Sequence, residues 1–296
     1  MDDYLLHTQL YALAFLSGDS QAMAVQEKWF AANPTVENSG ISLTSDTEAY
    51  AGHLEKARGL TTRAVDSAIR ADSKETGAIW WENAALREAA SGKVEESHQA
   101  AAAGQKLAPT SQAVAVEVAL ATAMVNSTAQ AESLAQELNQ RYPLDTQMQS
   151  LWLPAIRAQI ALNRRNAAGA IEILRSASPP LEYGQILFLN NLSCLYPTYI
   201  RSQAYLAAAQ GKEAAAEFQR ILDHSGLVWN CWTGALARLS VARANALEAK
   251  HLSGADADLA RSRALAAYKD FLTLWKDADP DIPILKEAKA EYAKLQ

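Results

Sequence analysis

The chain has 296 residues, of which 49% are hydrophobic and 20% charged, which is enough for two ordinary domains or one extended array. Its net charge of −6 and the lack of a basic stripe argue against a protein that holds nucleic acid through phosphate contacts. No apolar run reaches the length of about 18 residues that a membrane span needs, so we expect no insertion into a membrane.

The first predicted element is an amphipathic helix over 3–17, in the stretch MDDYLLHTQLYALAFLSGDS. The stretch opens with Asp2 and Asp3, whereas a secretory signal peptide opens with positive charge. We therefore expect the chain to begin inside a structured array, without a leader. Alanine is abundant throughout, and β-branched residues rarely alternate with polar ones, so the rest of the chain also favours helices.

The chain then repeats one pattern, in which a helix, a short break and a second helix follow one another. A small residue commonly stands five positions after the break, where two helices would cross closely. Glycine, and next to it asparagine, suits such a break because it tolerates the left-handed conformation that closes a helix. The breaks fall at Gly18, Gly52, Gly92, Asn126, Arg165, Gly211 and Gly254. The predicted helix pairs are 3–17 and 20–32, 40–51 and 54–71, 74–90 and 93–107, 111–125 and 128–141, 145–163 and 167–177, 197–210 and 212–224, and 230–252 and 255–276.

The third pair carries the fullest set of marks, with Trp81, Ala85, Gly92, Ser97 and Pro109 in order. These residues resemble the tetratricopeptide repeat (TPR), a helical hairpin of about 34 residues. Stretches such as DTEAYAGHLEKARGLTTRAV are similar to the TPR regions that follow bacterial serine/threonine protein kinases, notably in Acidobacteria. The resemblance implies an all-α fold, a right-handed superhelical solenoid of about seven antiparallel hairpins with a C-terminal capping helix.

Residues 179–197, PPLEYGQILFLNNLSCLYP, break the helical periodicity and predict a long loop or linker. They divide the chain into N-terminal hairpins over 1–178 and C-terminal hairpins with the capping helix over 198–296, and we expect one continuous solenoid. The apolar run 186–189 in this segment suggests the hypothesis that the loop itself occupies the groove of the solenoid.

The sequence carries no motif for catalysis, a cofactor or a metal. The glycine-rich loop and the catalytic and metal-binding aspartates of a kinase are absent, and the five histidines lie far apart. Cys194 and Cys231 are expected to be two buried thiols, with a disulfide as the less favoured alternative. We therefore predict a chain that is not an enzyme and that uses no cofactor.

In TPR arrays the first helix of each hairpin lines a concave groove, and the resemblance implies that a peptide or protein segment binds there. In the register set by the breaks, the groove-facing positions are Ile79, Glu82, Leu86, Val116, Leu120, Trp152, Gln159, Arg201 and Tyr205. The set lacks the carboxylate clamp of chaperone adaptors, so an apolar or helical segment is the expected ligand.

The predicted function is a non-catalytic protein-interaction scaffold, a sensory or docking module of a larger bacterial signalling protein whose kinase domain lies outside this chain. One alternative is a self-associating structural module, which an exposed apolar patch around Trp229 and Trp232 would favour. A remote alternative is an α-solenoid enzyme, which clustered buried carboxylates would favour. The expected location is the cytoplasm, or outside it if the region follows a membrane helix in a parent protein.

Overall fold

The computed structural model describes residues 3–175, Tyr183 and 194–296. Every regular element in these ranges is a helix, so the fold class is all-α as predicted. Most of the segment 179–197, including the run 186–189, lies outside the described residues. The helices are α1 Tyr4–Ser17, α2 Ser20–Ala31, α3 Glu37–Tyr50, α4 Leu54–Arg70, α5 Lys74–Ser91, α6 Val94–Leu107, α7 Gln112–Met124, α8 Thr128–Arg141, α9 Leu153–Asn163, α10 Ala167–Arg175, α11 Tyr196–Ala207, α12 Gly211–Asp223, α13 Ser225–Val228, α14 Trp232–His251, α15 Gly254–Leu274 and α16 Pro283–Leu295. A π-helical turn, Met148–Trp152, leads into α9.

Residues in the left-handed conformation close the first five hairpins at the predicted breaks. Gly18, Gly52 and Gly92 have φ of 70°, 84° and 83°, and Asn126 and Arg165 have φ of 65° and 59°. In the second to fifth hairpins the small residue five positions later is buried, as close crossing of the two helices requires. Those small residues are Ala57, Ser97, Ala131 and Ala170.

The sixth break lies two residues before the predicted one. Ala209 takes the left-handed conformation, with φ of 58°, and the residue five positions on, Ala214, is fully buried. Gly211 is instead the first residue of α12 and approaches the backbone of α14. A Cβ at this position would lie 2.8 Å from the carbonyl oxygen of Ala244 and 3.0 Å from the nitrogen of Glu248. The glycine therefore serves close helix packing and not turn geometry.

We expect Gly211→Ala to lower the free energy of unfolding by about 1–3 kcal/mol, because backbone atoms of α14 must shift to admit the methyl group. The matched control is Gly59→Ala in α4, where nothing lies within 4 Å of the added Cβ. There the substitution should raise stability by up to about 1 kcal/mol, the helix-propensity gain alone. Urea denaturation of both variants checks the prediction, and equal effects would contradict it.

The helices stack in chain order, each hairpin on the next. Within a hairpin the two helices pack against each other, and the first helices of successive hairpins also touch, in the series α3, α5, α7, α9, α11 and α14. The interface residues are largely alanine, leucine, valine and isoleucine, which lets helices approach closely around one continuous core. This serial packing is that of an α-helical array.

The array also closes on itself, because C-terminal residues contact the N-terminal hairpins. The indole nitrogen of Trp275 donates to the carbonyl oxygen of Tyr50 at 2.9 Å. The Asp279 amide donates to the Gly52 carbonyl oxygen at 3.1 Å, and the Asp279 carboxylate accepts from the Glu55 amide at 2.8 Å. Helix α14 also touches α3. The second and last hairpins of the array therefore lie side by side.

Candidate functional site

The predicted groove residues lie mostly inside the protein. The six residues from Ile79 to Trp152 in the predicted set are no more than 1% exposed, so they present no surface to a partner. These six are Ile79, Glu82, Leu86, Val116, Leu120 and Trp152. The remaining three, Gln159, Arg201 and Tyr205, are half-buried. Arg201 pairs with Glu217 of α12 at 2.7 Å, so its charge is already neutralised. Binding of a protein segment through the predicted set stays a prediction. Without rearrangement of the helices, only Gln159, Arg201 and Tyr205 could contact such a segment.

Aromatic side chains fill the inner face. The ring of Tyr196, at the start of α11, lies 5.8 Å from the ring of Trp152 and 5.8 Å from that of Trp232. Tyr199 meets Trp232 edge-on with the ring centroids 5.0 Å apart. Trp229 and Trp232 are 6% and 8% exposed, so the apolar patch expected around them is not a surface feature. Their burial follows from the closure of the array, which brings the 229–232 turn against α3.

A disulfide joins Cys194 to Cys231, with the two Cα atoms 5.8 Å apart. The expectation of two buried free thiols was therefore wrong. The bond ties the segment that leads into α11 to the residue before α14, and Thr233 donates from its hydroxyl to the Cys194 carbonyl oxygen at 2.7 Å. The two cysteines lie 37 residues apart in the chain, and only the packing of α11 beside α14 brings them together.

An ion pair between the buried Arg87 and the half-buried Asp46 lies beside these rings. Arg87 of α5 donates to the carboxylate of Asp46 at 2.9 Å and to the hydroxyl of Thr61 at 2.7 Å. Burial raises the pKa of Asp46 to about 6 although Arg87 favours the charged form. A cavity of about 50 Å³ adjoins the pair. It is lined by Leu43, Asp46, Ala49, Asn83, Arg87, Cys194, Tyr196, Asn230, Cys231 and Trp232. This volume suits one or two water molecules and is far below that of an ordinary ligand pocket.

Two further acids are buried near the inner face, Glu82 on α5 and Glu117 on α7, both 0% exposed. Burial, and then the charge of Glu117, hold the pKa of Glu82 well above its usual range. Neither carboxylate oxygen of Glu82 has a hydrogen-bond partner among the described residues. The side chain is packed against Gly104, in the seam between α5 and α6. Clustered buried carboxylates were the feature that would favour an enzyme, but Glu82 is held in a helix seam and not at an open cleft.

We expect Glu82→Gln to stabilise the fold increasingly as pH rises. Because the folded-state pKa of Glu82 is raised, folding takes up a proton once pH exceeds the unfolded value of about 4.3. That uptake costs about 1.4 kcal/mol per pH unit until the folded-state pKa is reached, and glutamine removes it. Urea denaturation at pH 5, 6 and 7 measures the slope, with exposed Glu75→Gln on the same helix as control. Parallel pH slopes for wild type and Glu82→Gln would contradict the prediction.

Two open grooves lie between second helices of the array. Groove A lies between α8 and α10 over α9 and has a volume of about 540 Å³, and groove B lies between α12 and α15 over α14 and has about 340 Å³. Groove A is lined by Glu132, Ala135, Gln136, Asn139, Arg157, Ile160, Ala161, Arg164, Asn166 and Ile173. Groove B is lined by Gln219, Leu222, Arg238, Val241, Asn245, Arg263, Ala266, Ala267 and Asp270.

The floors of the two grooves share one register. Arg157, Ile160 and Arg164 of α9 have counterparts in Arg238, Val241 and Asn245 of α14, each 81 residues later. The sequence pattern of breaks placed α9 and α14 as equivalent first helices, but it did not single out Arg157 or Arg238. Both arginines lie outside the predicted groove positions, and only the linings of the two grooves relate them.

Trp80 and Trp81 are neighbours on α5 with different surroundings. Trp80 is buried and donates from its indole nitrogen to the side-chain oxygen of Asn38 at 3.0 Å, while its neighbour Trp81 is half-buried against the core.

Among residues 3–175, 183 and 194–296, no three His, Cys, Asp or Glu side chains are grouped to hold a metal ion. None of the helices in those ranges combines the length and the apolar character needed to cross a membrane.

The fold and the site together define an all-α array of helical hairpins with a filled inner face and two open grooves. Comparison with protein-family models found no match, and no curated protein matches the chain.

Proposed function

We propose that the chain is a non-catalytic protein-interaction scaffold, a TPR-like sensory or docking module of a larger bacterial signalling protein associated with a serine/threonine kinase. Serial hairpins give such arrays extended surfaces that suit binding of protein segments. The right-handed superhelical form belongs to the same proposal. The observation that carries it is the pair of grooves between second helices, because they are open where the inner face is filled. In this proposal the partner binds in these grooves.

Photo-crosslinking tests the scaffold function. Benzoylphenylalanine placed at Ala266, on the wall of groove B, should give a discrete protein adduct in the native host. The same residue at exposed Ala102 on α6, which lines neither groove, is the matched control. Adducts specific to Ala266 support a scaffold that uses this groove. Equal labelling from both positions, or no adduct from either, would count against it.

Self-association is a second candidate function, favoured by the outer face of α1. Leu5, Leu6, Leu10, Leu13 and Leu16 are 66%, 42%, 37%, 63% and 41% exposed. No residue of α1 is charged, whereas the C-terminal helix α16 carries lysines and glutamates. The occupant that suits an uncharged apolar stripe is therefore a second copy, packed α1 against α1 in twofold symmetry. Head-to-tail contact would place leucines on the charged helix.

We expect the wild-type chain to sediment as a dimer at micromolar concentrations and the variant Leu6→Glu/Leu13→Glu as a monomer. Two charges on the stripe cannot be buried against a second copy without a large desolvation cost. The matched control is Leu144→Glu, at a residue 94% exposed outside α1. Sedimentation equilibrium provides the measurement, and a monomeric wild type would exclude self-association.

We also propose that this part of the chain faces an oxidising compartment, because protein disulfides persist there and are rare in the bacterial cytoplasm. The Cys194–Cys231 bond supports this proposal. Cells lysed directly into a thiol-reactive mass tag should yield unshifted protein. A shift by two tags would place the chain in a reducing compartment.

A further inference from the structure

Groove B holds two arginines without a carboxylate partner. Arg238 of α14 and Arg263 of α15 both line it, and neither forms an ion pair or a side-chain hydrogen bond with the part of the chain that the structure describes. Arg243, which lies on the same helix as Arg238, is instead paired with Glu287 and Glu291 of α16. The chain has a net charge of −6, whereas groove B, with two arginines and one aspartate in its lining, is locally positive.

Arg238 is placed so that an anion would complete its environment. Its side chain is half-buried on the floor of the groove, and its Nε atom is buried without a hydrogen-bond partner among the described residues. A partly desolvated guanidinium without a counter-ion is costly, and a carboxylate relieves that cost through two parallel hydrogen bonds. Arg263 is exposed at the rim, where it adds positive charge along the approach. Asp270 also lines the groove but pairs with neither arginine.

The walls around Arg238 are apolar and small. Leu222, Val241, Ala266 and Ala267 line the groove together with Arg238, and the groove is open to solvent. Its volume of about 340 Å³ admits a few side chains and not a folded domain. The apolar walls would bury the flanking side chains of a peptide, whereas a free inorganic anion would leave them uncovered. The shape and the charge together therefore suit an acidic stretch of a polypeptide.

Groove A supplies the comparison within the same molecule. Its floor residue Arg157 stands in the register of Arg238, but Arg164 of the same groove pairs with Glu132 on the opposite wall. The counterpart of Arg164 in groove B is Asn245, and no glutamate from α12 lines that groove. The carboxylate of groove A is thus paired with an arginine of that groove, whereas Asp270, the carboxylate of groove B, pairs with neither of its arginines.

We propose that groove B binds the glutamate side chain of an acidic protein segment, with Arg238 as the residue that contacts the carboxylate and Arg263 as the steering charge. The proposal rests on the proposed scaffold function and names the chemistry of its partner.

The test uses the full chain and a fluorescein-labelled peptide of four Ala-Glu-Ala units, with an Ala-Gln-Ala peptide of the same length as the neutral probe. Fluorescence anisotropy should show binding of the glutamate peptide and none of the glutamine peptide. Arg238→Gln should weaken binding at least tenfold, Arg263→Gln less, and Arg157→Gln in groove A should leave it unchanged. Circular dichroism and the Tm of each variant confirm that the fold is retained.

Three outcomes would overturn the proposal. Binding that Arg238→Gln and Arg157→Gln weaken equally would mean non-specific attraction of an acidic peptide. Competition by glutarate or inorganic phosphate at the concentration of the peptide would identify a site for free anions. Absence of peptide binding would also overturn the proposal. The crosslinking at Ala266 then distinguishes failure of the acidic partner from failure of the scaffold function. If adducts are specific to Ala266 but the glutamate peptide does not bind, the scaffold function is supported and only the acidic partner is excluded.

Discussion

Replacing both Cys194 and Cys231 with serine is expected to lower the free energy of unfolding by about 4 kcal/mol. The bond closes a loop of 37 residues, and cross-linking a loop of that length removes about this much conformational freedom from the unfolded chain. The loop carries α11, α12 and α13, so the bond restrains three helices against α14. The loss should be seen in urea denaturation followed by far-ultraviolet circular dichroism.

The same variant separates the bond from the side chains that it joins. A reductant should destabilise the wild-type chain by a similar amount and leave the double-serine variant unchanged. Because Tyr196 and Trp232 adjoin the two cysteines, reduction should also alter tryptophan fluorescence before the global unfolding transition. A wild-type protein whose stability is the same with and without reductant would show that the bond contributes nothing to the fold.

Arg87→Met is expected to cost about 1–3 kcal/mol, because it leaves the half-buried carboxylate of Asp46 without its partner. Arg87 is 2% exposed, and its guanidinium also holds Thr61, so methionine removes two contacts from the interior. Burial already raises the pKa of Asp46 to about 6, and loss of Arg87 should raise that pKa further. A raised folded-state pKa of an acid makes folding take up a proton, so stability falls as pH rises through this range. The variant should therefore lose more stability at pH 8 than at pH 5.

Two control variants test whether the loss of stability comes from the ion pair. Arg70→Met breaks a pair with Glu37 in which the arginine is 66% exposed, and it should change stability by less than about 1 kcal/mol. The double variant Asp46→Leu/Arg87→Met removes both charges and should recover more than half of the loss, since an apolar pair needs no compensation. A double variant no more stable than Arg87→Met would mean that Arg87 acts through Thr61 and not through the ion pair.

Local features of the fold were open to prediction because they depend on neighbours in the chain. The first five hairpin turns and most helix boundaries follow from residues that tolerate the left-handed conformation, as at Gly92 and Asn126. The exceptions show the limit of such reasoning. Ala209 takes a left-handed conformation, which is rare for alanine and could not be predicted from its residue type. Gly211 is required by the close approach of the backbone of α14, which lies some 30 residues further along the chain.

The candidate site depends on contacts between residues that are far apart in the sequence, and local sequence patterns do not predict such contacts. The sequence by itself determined an all-α chain of serial hairpins, because helix periodicity and turn chemistry act over a few residues. Only the tertiary structure decided that the array closes on itself, with Trp275 on Tyr50 and Cys194 bonded to Cys231. The packing of successive helices buries most of the face predicted as a groove, and Arg238 lies in an open groove between other helices. The physical reason is that small changes in the packing of each hairpin on the next accumulate along the array, and no local pattern records where its two ends meet.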